Sequence, residues 1–155
     1  MSAENTSGFA KIYYDRKLQD YWLRRVVAFI IDAVIVGVAV AILEIIIFFA
    51  LAMSMPWWSM HGLVFPFLSG IPLFLYSALT ENIYGYTLGK RIMNLKVVKG
   101  EGKRPPINIA FLRNVTKIYG LALLLDVVIA LAMPHRDPTQ KYTDTYAGSM
   151  VVSAD

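Results

Sequence analysis

Arg25 and Asp32 are the residues of this chain whose types and positions could best support chemistry. Arg25 stands at the start of an apolar run that extends to Met53, and Asp32 lies inside that run together with Glu44. A carboxylate within lipid is costly, so it usually has a charged partner or a function such as binding an ion or a proton. The run therefore predicts a membrane helix that carries a polar site.

The spacing of Arg25 and Asp32 places both on one face of a helix, two turns apart. The rise between them is about 10.5 Å, so a direct contact would require Arg25 to reach inward. Asp32 could be an ion or proton site, or it could pair with another helix and only fix packing; both interpretations stand. For Arg25 we favour a structural role, with the side chain extending to the headgroups.

Two further acids, Glu44 and Asp126, lie in apolar segments and could reach a similar depth in the membrane. Two buried carboxylates without a cation would share a proton, which suits proton-coupled cation movement. The alternative, which we favour, is that each acid faces outer headgroups or a polar neighbour. Both residues are candidate intramembrane acids.

The composition is that of a membrane protein. Hydrophobic residues make up 57% of the 155 residues and charged residues 17%, whereas soluble domains have about 45–50% and about 25%. The absence of cysteine excludes disulfides and thiolate chemistry, and two separated histidines favour neither a metal nor a cofactor. The net charge of +4 comes from cations that flank apolar runs, so anionic headgroups are the expected partner, not nucleic acid.

The apolar runs predict an all-α integral membrane fold with three transmembrane helices. In the first run, aliphatic and Phe residues contribute about −8 kcal/mol to insertion, which outweighs roughly +6 kcal/mol for two acids. The third run is also short enough to be re-entrant, but we favour three full spans. Pro66, Gly70 and Pro72 predict a kink or a break in the second. The predicted spans are about 25–51, 60–79 and 111–133.

The remaining segments complete the predicted organisation. Alternating residues at 94–99 predict a short cytoplasmic β-strand or hairpin, and 147–152 could be another strand. Lys and Arg concentrate in 1–25 and 80–108 and are absent from the loop at 52–62, which predicts a cytoplasmic N-terminus in the cell membrane. The predicted units are an interfacial segment at 1–20 with a short helix over 9–22, a membrane domain at 21–152, and a tail at 153–155.

Three patches together resemble the RDD family, named for one Arg and two Asp. Residues 21–32 resemble its aromatic Arg-x-x-Ala-x-x-x-Asp opening. Residues 85–91 are similar to its Gly-x-Thr-Leu-Gly-Lys-Arg loop, and a Leu-Lys-Val-Val strand follows them. Residues 140–152 resemble its closing Asp and its Ala-Gly-Thr-Val-Val-type ending, with Ser149 where Thr is common.

The resemblance implies a family triad of Arg25, Asp32 and Asp144, and a multi-pass protein for which transport of an unidentified ligand or cation/proton exchange is the usual suggestion. A contact between Asp144 and Arg25 would require a cytoplasmic tail, which conflicts with three full spans.

Other roles follow from the residues themselves. Lys90 and Arg91 are expected to contact lipid phosphates. A small-residue stripe at Ala33, Gly37 and Ala41 offers a seam for a homo-oligomer or another membrane protein. The alternative function is therefore a non-transporting scaffold or assembly factor. No nucleophile motif or base–orienter pair suggests an enzyme.

Overall fold

The structure, a computed structural model, describes most of the chain. The described residues are 7–51, 57–100, 102–133 and 137–154, and their side chains are described except at 47–51 and 57–69.

The N-terminal part forms two helices, α1 (Gly8–Tyr14) and α2 (Arg16–Leu51). The predicted single helix over 9–22 is wrong, because the chain breaks at Asp15 and then enters α2 directly. The Asp15 carboxylate accepts hydrogen bonds from the backbone N–H of Lys17 (2.9 Å) and Leu18 (3.4 Å), which starts the new helix. Helix α2 therefore begins nine residues before the predicted span.

Helix α3 (Trp57–Tyr84) is one uninterrupted helix, so the predicted break is wrong. It includes residues 57–62 of the predicted loop, and the rest of that loop, 52–56, lies outside the described residues. The side chain of Pro66 is also not among the described side chains. Gly70 serves close packing: a Cβ there would lie 2.1 Å from the Ile118 carbonyl oxygen.

The predicted helix over 111–133 is not continuous. It consists of α5 (Ile107–Asn114), a 3₁₀ turn (Val115–Ile118) and α6 (Gly120–Ala132), and the two arms are bent by 111°. Tyr119 at the bend is extended, with φ −122° and ψ 119°. Extended backbone cannot continue the helical hydrogen-bond ladder.

The α5 arm runs antiparallel to the C-terminal half of α3. The Asn82 side chain donates to the Pro105 carbonyl (3.1 Å), the rings of Phe74 and Phe111 meet edge to face, and Gly70 meets Ile118. Helix α6 then returns. Near its end, Leu131 touches Gly8 of α1. The α5 arm thus begins, and the α6 arm ends, at the same end of the pair formed by α2 and α3.

A short helix, α4 (Leu88–Ile92), leads from α3 into the small sheet, and α7 (Tyr142–Tyr146) precedes its second strand. Strands β1 (Leu95–Lys99) and β2 (Ser149–Ser153) pair antiparallel, so both predicted strands are confirmed. Leu95, Val97 and Val151 pack with Ala28 of α2 in one buried cluster. The sheet therefore fixes the chain's C-terminal strand beside the start of α2.

Within the described residues, one helix, Arg16–Ile46, is long and apolar enough to cross a membrane, and the bent pair α5–α6 would add a second crossing if it counted as one span. The search covered only the described residues.

We expect Gly89→Ala to destabilise the fold by about 1–3 kcal/mol or more. A Cβ at Gly89 would lie 2.1 Å from the Ala28 carbonyl oxygen of α2, so α4 would have to move away. Gly120→Ala is the matched control, because no atom lies within 4 Å of its Cβ position. Thermal unfolding in neutral detergent, followed by circular dichroism, measures both. Equal melting temperatures would contradict the close packing of α4 on α2.

Candidate functional site

Asp32 joins α2 to the segment between α3 and β1. Its Oδ1 accepts hydrogen bonds from the Tyr76 hydroxyl (3.2 Å) and the backbone N–H of Gly89 (2.8 Å). Its Oδ2 accepts one from the Thr87 hydroxyl at 2.5 Å. All three donors are neutral, so Asp32 is held by hydrogen bonds and by the N-terminal end of α4 rather than by a cation. Arg25 does not contact it directly, as the spacing predicted.

The Gly-x-Thr-Leu-Gly-Lys-Arg loop is built around this contact. Gly85 adopts a positive φ of 82°, which favours glycine. Thr87 caps α4 by accepting from the Lys90 N–H (3.3 Å). The absence of a side chain at Gly89 lets α4 approach α2. The loop is thus a structural connector, as expected for glycines that turn the chain.

Lys90 lies inside the molecule. Its ammonium forms an ion pair with Glu81 of α3, and burial lowers the pKa of Lys90 while the Glu81 carboxylate opposes that shift. The described partner of Lys90 is thus a carboxylate of α3, and its predicted contact with lipid phosphate stays a prediction. Arg91 is exposed, with its guanidinium 5.6 Å from the centre of the Tyr86 ring.

Glu81 and Arg113 are fully buried within a cluster of charged side chains. Glu81 Oε2 accepts a hydrogen bond from the Asn114 amide (2.7 Å), and Arg113 Nε lies 3.3 Å from the same oxygen. Sequence reasoning missed Glu81 because it placed residues after 79 in a polar loop. The available signal was that Glu81 follows an apolar helix closely. Arg113 and Lys117 lie on one side of the next predicted helix and could have been recognised as its partners.

Asp144 connects the C-terminal segment to two arginines. Its Oδ2 accepts a hydrogen bond from Arg25 (2.7 Å), and its Oδ1 lies 3.0 Å from Arg113 Nη2. Arg25 also donates to the Thr139 carbonyl (2.7 Å) and stacks over the Trp22 ring. The structure therefore brings together two members of the triad, Arg25 and Asp144, and holds Asp32 on separate partners.

Asp126 is neutralised by Lys141. The Lys141 ammonium lies 2.9 Å from Asp126 Oδ2 and also donates to the Arg113 carbonyl. Thr143 donates to Asp126 from its backbone N–H (2.7 Å) and its hydroxyl (2.7 Å). Glu44 is half-buried on α2 and is not one of the described partners of Asp126. The sequence argument treated Asp126 and Glu44 as buried carboxylates without a cation. For Asp126 that premise is wrong, because Lys141 pairs with it.

Lys117 differs from the other cations of the cluster. Its ammonium donates to the Ser77 hydroxyl at 2.8 Å, and within the described residues no carboxylate oxygen lies within ion-pairing distance of it. The cluster thus contains five cations, Arg25, Lys90, Arg113, Lys117 and Lys141, and four carboxylates, Asp32, Glu81, Asp126 and Asp144.

Two cavities lie along α2 next to this cluster. The first, about 140 Å³, is lined by all five cations, by Asp32 and Asn114, and by apolar residues of α2 and α6. The second, about 320 Å³, lies further along α2, where Ala33, Val36 and Gly37 line it. Lys117 borders both cavities. Among the described residues no group of three or more His, Cys, Asp or Glu could hold a metal ion.

These features define a helical protein with an apolar, membrane-type helix, a small sheet and a buried ion-pair cluster that borders a cavity. Residues 21–148 match the RDD family, and the chain belongs to that family. No curated protein and no solved structure matched the chain.

Acidification should destabilise the protein through Asp144. Burial alone would raise the pKa of Asp144, but Arg113, Arg25 and Lys141 lower it to about 2, from 3.8. A depressed pKa contributes stability above the unfolded value that is lost as the pH falls through the folded value. We therefore expect the wild type to lose stability between about pH 4 and pH 2.

The measurement is the melting temperature of the detergent-solubilised protein across this pH range, compared with Asp144→Asn. The variant should be less stable at neutral pH and should show a smaller drop on acidification. Parallel curves for the two proteins would show that Asp144 is not held as a carboxylate by the arginines.

Proposed function

We propose that this RDD-family chain is a multi-pass protein of the cell membrane with two full spans, α2 and α3, and a re-entrant segment formed by α5, the 3₁₀ turn and α6. The antiparallel packing of α5 on α3 and the return of α6 to α1 support this arrangement. The basic segments 1–25 and 80–108 favour a cytoplasmic location for the N-terminus. The Arg25–Asp144 ion pair then requires the C-terminus on the same side.

The topology can be tested with single cysteines, since the chain has no cysteine of its own. We expect Ser7→Cys and Ala154→Cys to be protected from a membrane-impermeant maleimide in right-side-out vesicles and labelled in inverted ones. The cysteine-free wild type is the blank. Labelling of Ala154→Cys in right-side-out vesicles would instead favour a third full span.

For the function, we propose a transport component that takes an anionic ligand. The observation that carries the proposal is the pair of cavities stacked along α2, with Lys117 between them. Their α2 linings run from residue 22 to residue 37, which corresponds to about 22 Å of helix. That length is more than half of the roughly 30 Å hydrocarbon layer. A single basic residue between two spaces is suited to binding an anion in transit.

The charges of the cluster favour an anion over a cation. Glu81, Asp126 and Asp144 each form an ion pair with Lys or Arg, and Asp32 accepts three hydrogen bonds from neutral donors. Sodium/proton exchange would require a carboxylate free to exchange one cation for another. Lys117, in contrast, is a basic side chain whose described partner is only a hydroxyl.

A second candidate is the assembly role, which the small-residue stripe supports. A Cβ at Gly37 would have no atom of the described residues within 4 Å, so another helix could approach α2 closely at this position, which also borders the second cavity. A scaffold would bind partners through this surface and would gain no stability from a small anion.

The decisive measurement is the melting temperature of the purified protein in neutral detergent, with sodium phosphate compared with sodium chloride at equal ionic strength. A ligand that binds only the folded state raises stability by RT ln(1 + [L]/Kd). We expect phosphate to stabilise the wild type and Lys117→Arg, and to lose its specific effect in Lys117→Gln. Lys17→Gln, which removes an exposed cation at the start of α2, is the matched control and should behave like the wild type.

Equal phosphate effects in all four proteins would indicate only the general stabilisation that phosphate gives by exclusion from surfaces, and would contradict the proposal. Sodium-dependent proton flux in proteoliposomes that Asp32→Asn abolishes would favour cation exchange in its place.

A further inference from the structure

The first cavity has a basic side and an apolar side. Its basic side is formed by one residue each from α2, α4, α5 and the 3₁₀ turn, and by one that precedes α7: Arg25, Lys90, Arg113, Lys117 and Lys141. Its apolar side is formed by α2 and α6, with Trp22, Val26, Phe29, Leu123 and Val127. A small inorganic anion would use only the basic side, whereas both surfaces together suit a ligand with a charged end and a hydrocarbon end.

Arg113 provides an independent indication of a missing partner. Its side chain is 1% exposed, and its Nη1 has no hydrogen-bond partner among the described residues. Nε also lacks a hydrogen bond, although it lies 3.3 Å from Glu81, and Nη2 lies 3.0 Å from Asp144. Nη1 is therefore the donor with neither a hydrogen bond nor an ion pair among the described residues. A buried donor without an acceptor is destabilising, and an anion in the adjoining cavity would supply the acceptor.

The charge of the cluster specifies the charge of that anion. When Lys117 is protonated, five cations against four carboxylates leave one net positive charge in the cluster that borders the cavity. A phosphodiester carries a single negative charge and would neutralise it. Asp32 also lines the cavity and would repel a doubly charged phosphate more strongly than a phosphodiester.

The size and opening of the cavity indicate how the rest of the ligand is placed. About 140 Å³ is roughly the liquid volume of five water molecules, which suffices for a phosphate group but not for a glycerolipid. The acyl chains would have to leave the cavity between α2 and α6. Val26, on the α2 side of this opening, is 51% exposed, so its surface is available to them.

We propose that the first cavity binds the phosphodiester of an anionic phospholipid, with Lys117 and Arg113 as the phosphate-binding residues and the acyl chains lying between α2 and α6. This assignment rests on the anion site proposed above and names its ligand class. Loss of the Lys117 charge should weaken the preference for an anionic over a zwitterionic lipid about tenfold, the effect of one charge-assisted hydrogen bond.

Trp22 lies in the cavity wall and can report occupancy. Trp57→Phe and Trp58→Phe leave Trp22 as the only tryptophan of the chain. The protein is reconstituted in dioleoylphosphatidylcholine vesicles that contain a minor fraction of either brominated phosphatidylglycerol or brominated phosphatidylcholine, since bromine quenches tryptophan on contact. The quenching is compared among the parent protein, Lys117→Gln, Lys117→Arg and the control Lys17→Gln.

We expect brominated phosphatidylglycerol to quench Trp22 more strongly than brominated phosphatidylcholine in the parent, Lys117→Arg and Lys17→Gln, and the two lipids to quench equally in Lys117→Gln. Equal quenching by both lipids in the parent would overturn the lipid assignment, as would a preference that survives in Lys117→Gln. If phosphate still stabilised the wild type specifically, the anion site would stand and its ligand would be a free anion. If neither lipid preference nor phosphate stabilisation were found, both proposals would fail.

Discussion

The Arg113 guanidinium lies between two buried carboxylates, Glu81 at 3.3 Å and Asp144 at 3.0 Å. A charge removed from water costs several kcal/mol, which only a nearby opposite charge and hydrogen bonds can offset. Each of the three groups is therefore tolerated only while the others are in place. Because they belong to α5, α3 and α7 respectively, this requirement alone fixes three separate segments against one another. The other ion pairs extend the same constraint to α2, through Arg25, and to α4, through Lys90.

The same constraint explains the bend at Tyr119. A straight helix over the third apolar run would carry Asp126 away from the C-terminal segment that holds Lys141 and Thr143. The observed return of α6 places Asp126 within 2.9 Å of the Lys141 ammonium and within 2.7 Å of the Thr143 hydroxyl. Apolar transfer alone does not distinguish a straight span from a hairpin of equal hydrophobicity. The pairing of a buried carboxylate does distinguish the two arrangements, because an unpaired buried carboxylate is strongly destabilising.

Local patterns in the sequence predicted the elements whose causes are local. The alternation at 94–99 identified the first strand, the segment at 147–152 was a possible second one, and the apolar run after Arg25 identified most of α2. Helix geometry indicated that Arg25 could contact Asp32 only by reaching inward, and the described partners of the two residues are different. The omissions concern partners that are distant in the chain. Lys90 was assigned to lipid because its acid, Glu81, belongs to another helix, and Asp126 was considered without Lys141. Periodicity and propensity contain no information about which distant charges meet. Only the family resemblance raised the Arg25–Asp144 pair, against the topology that we favoured.

Lys117 is the exception to the pairing rule. Each of the other four cations of the cluster lies beside a carboxylate, whereas the described contact of Lys117 is the Ser77 hydroxyl. A hydroxyl oxygen offsets less of the desolvation of an ammonium than a carboxylate does. Water or an anion could supply further compensation, and the two cavities that Lys117 borders provide access for both. The requirement that buried charges be paired thus holds the fold together and leaves one lysine, Lys117, that has no carboxylate partner among the described residues.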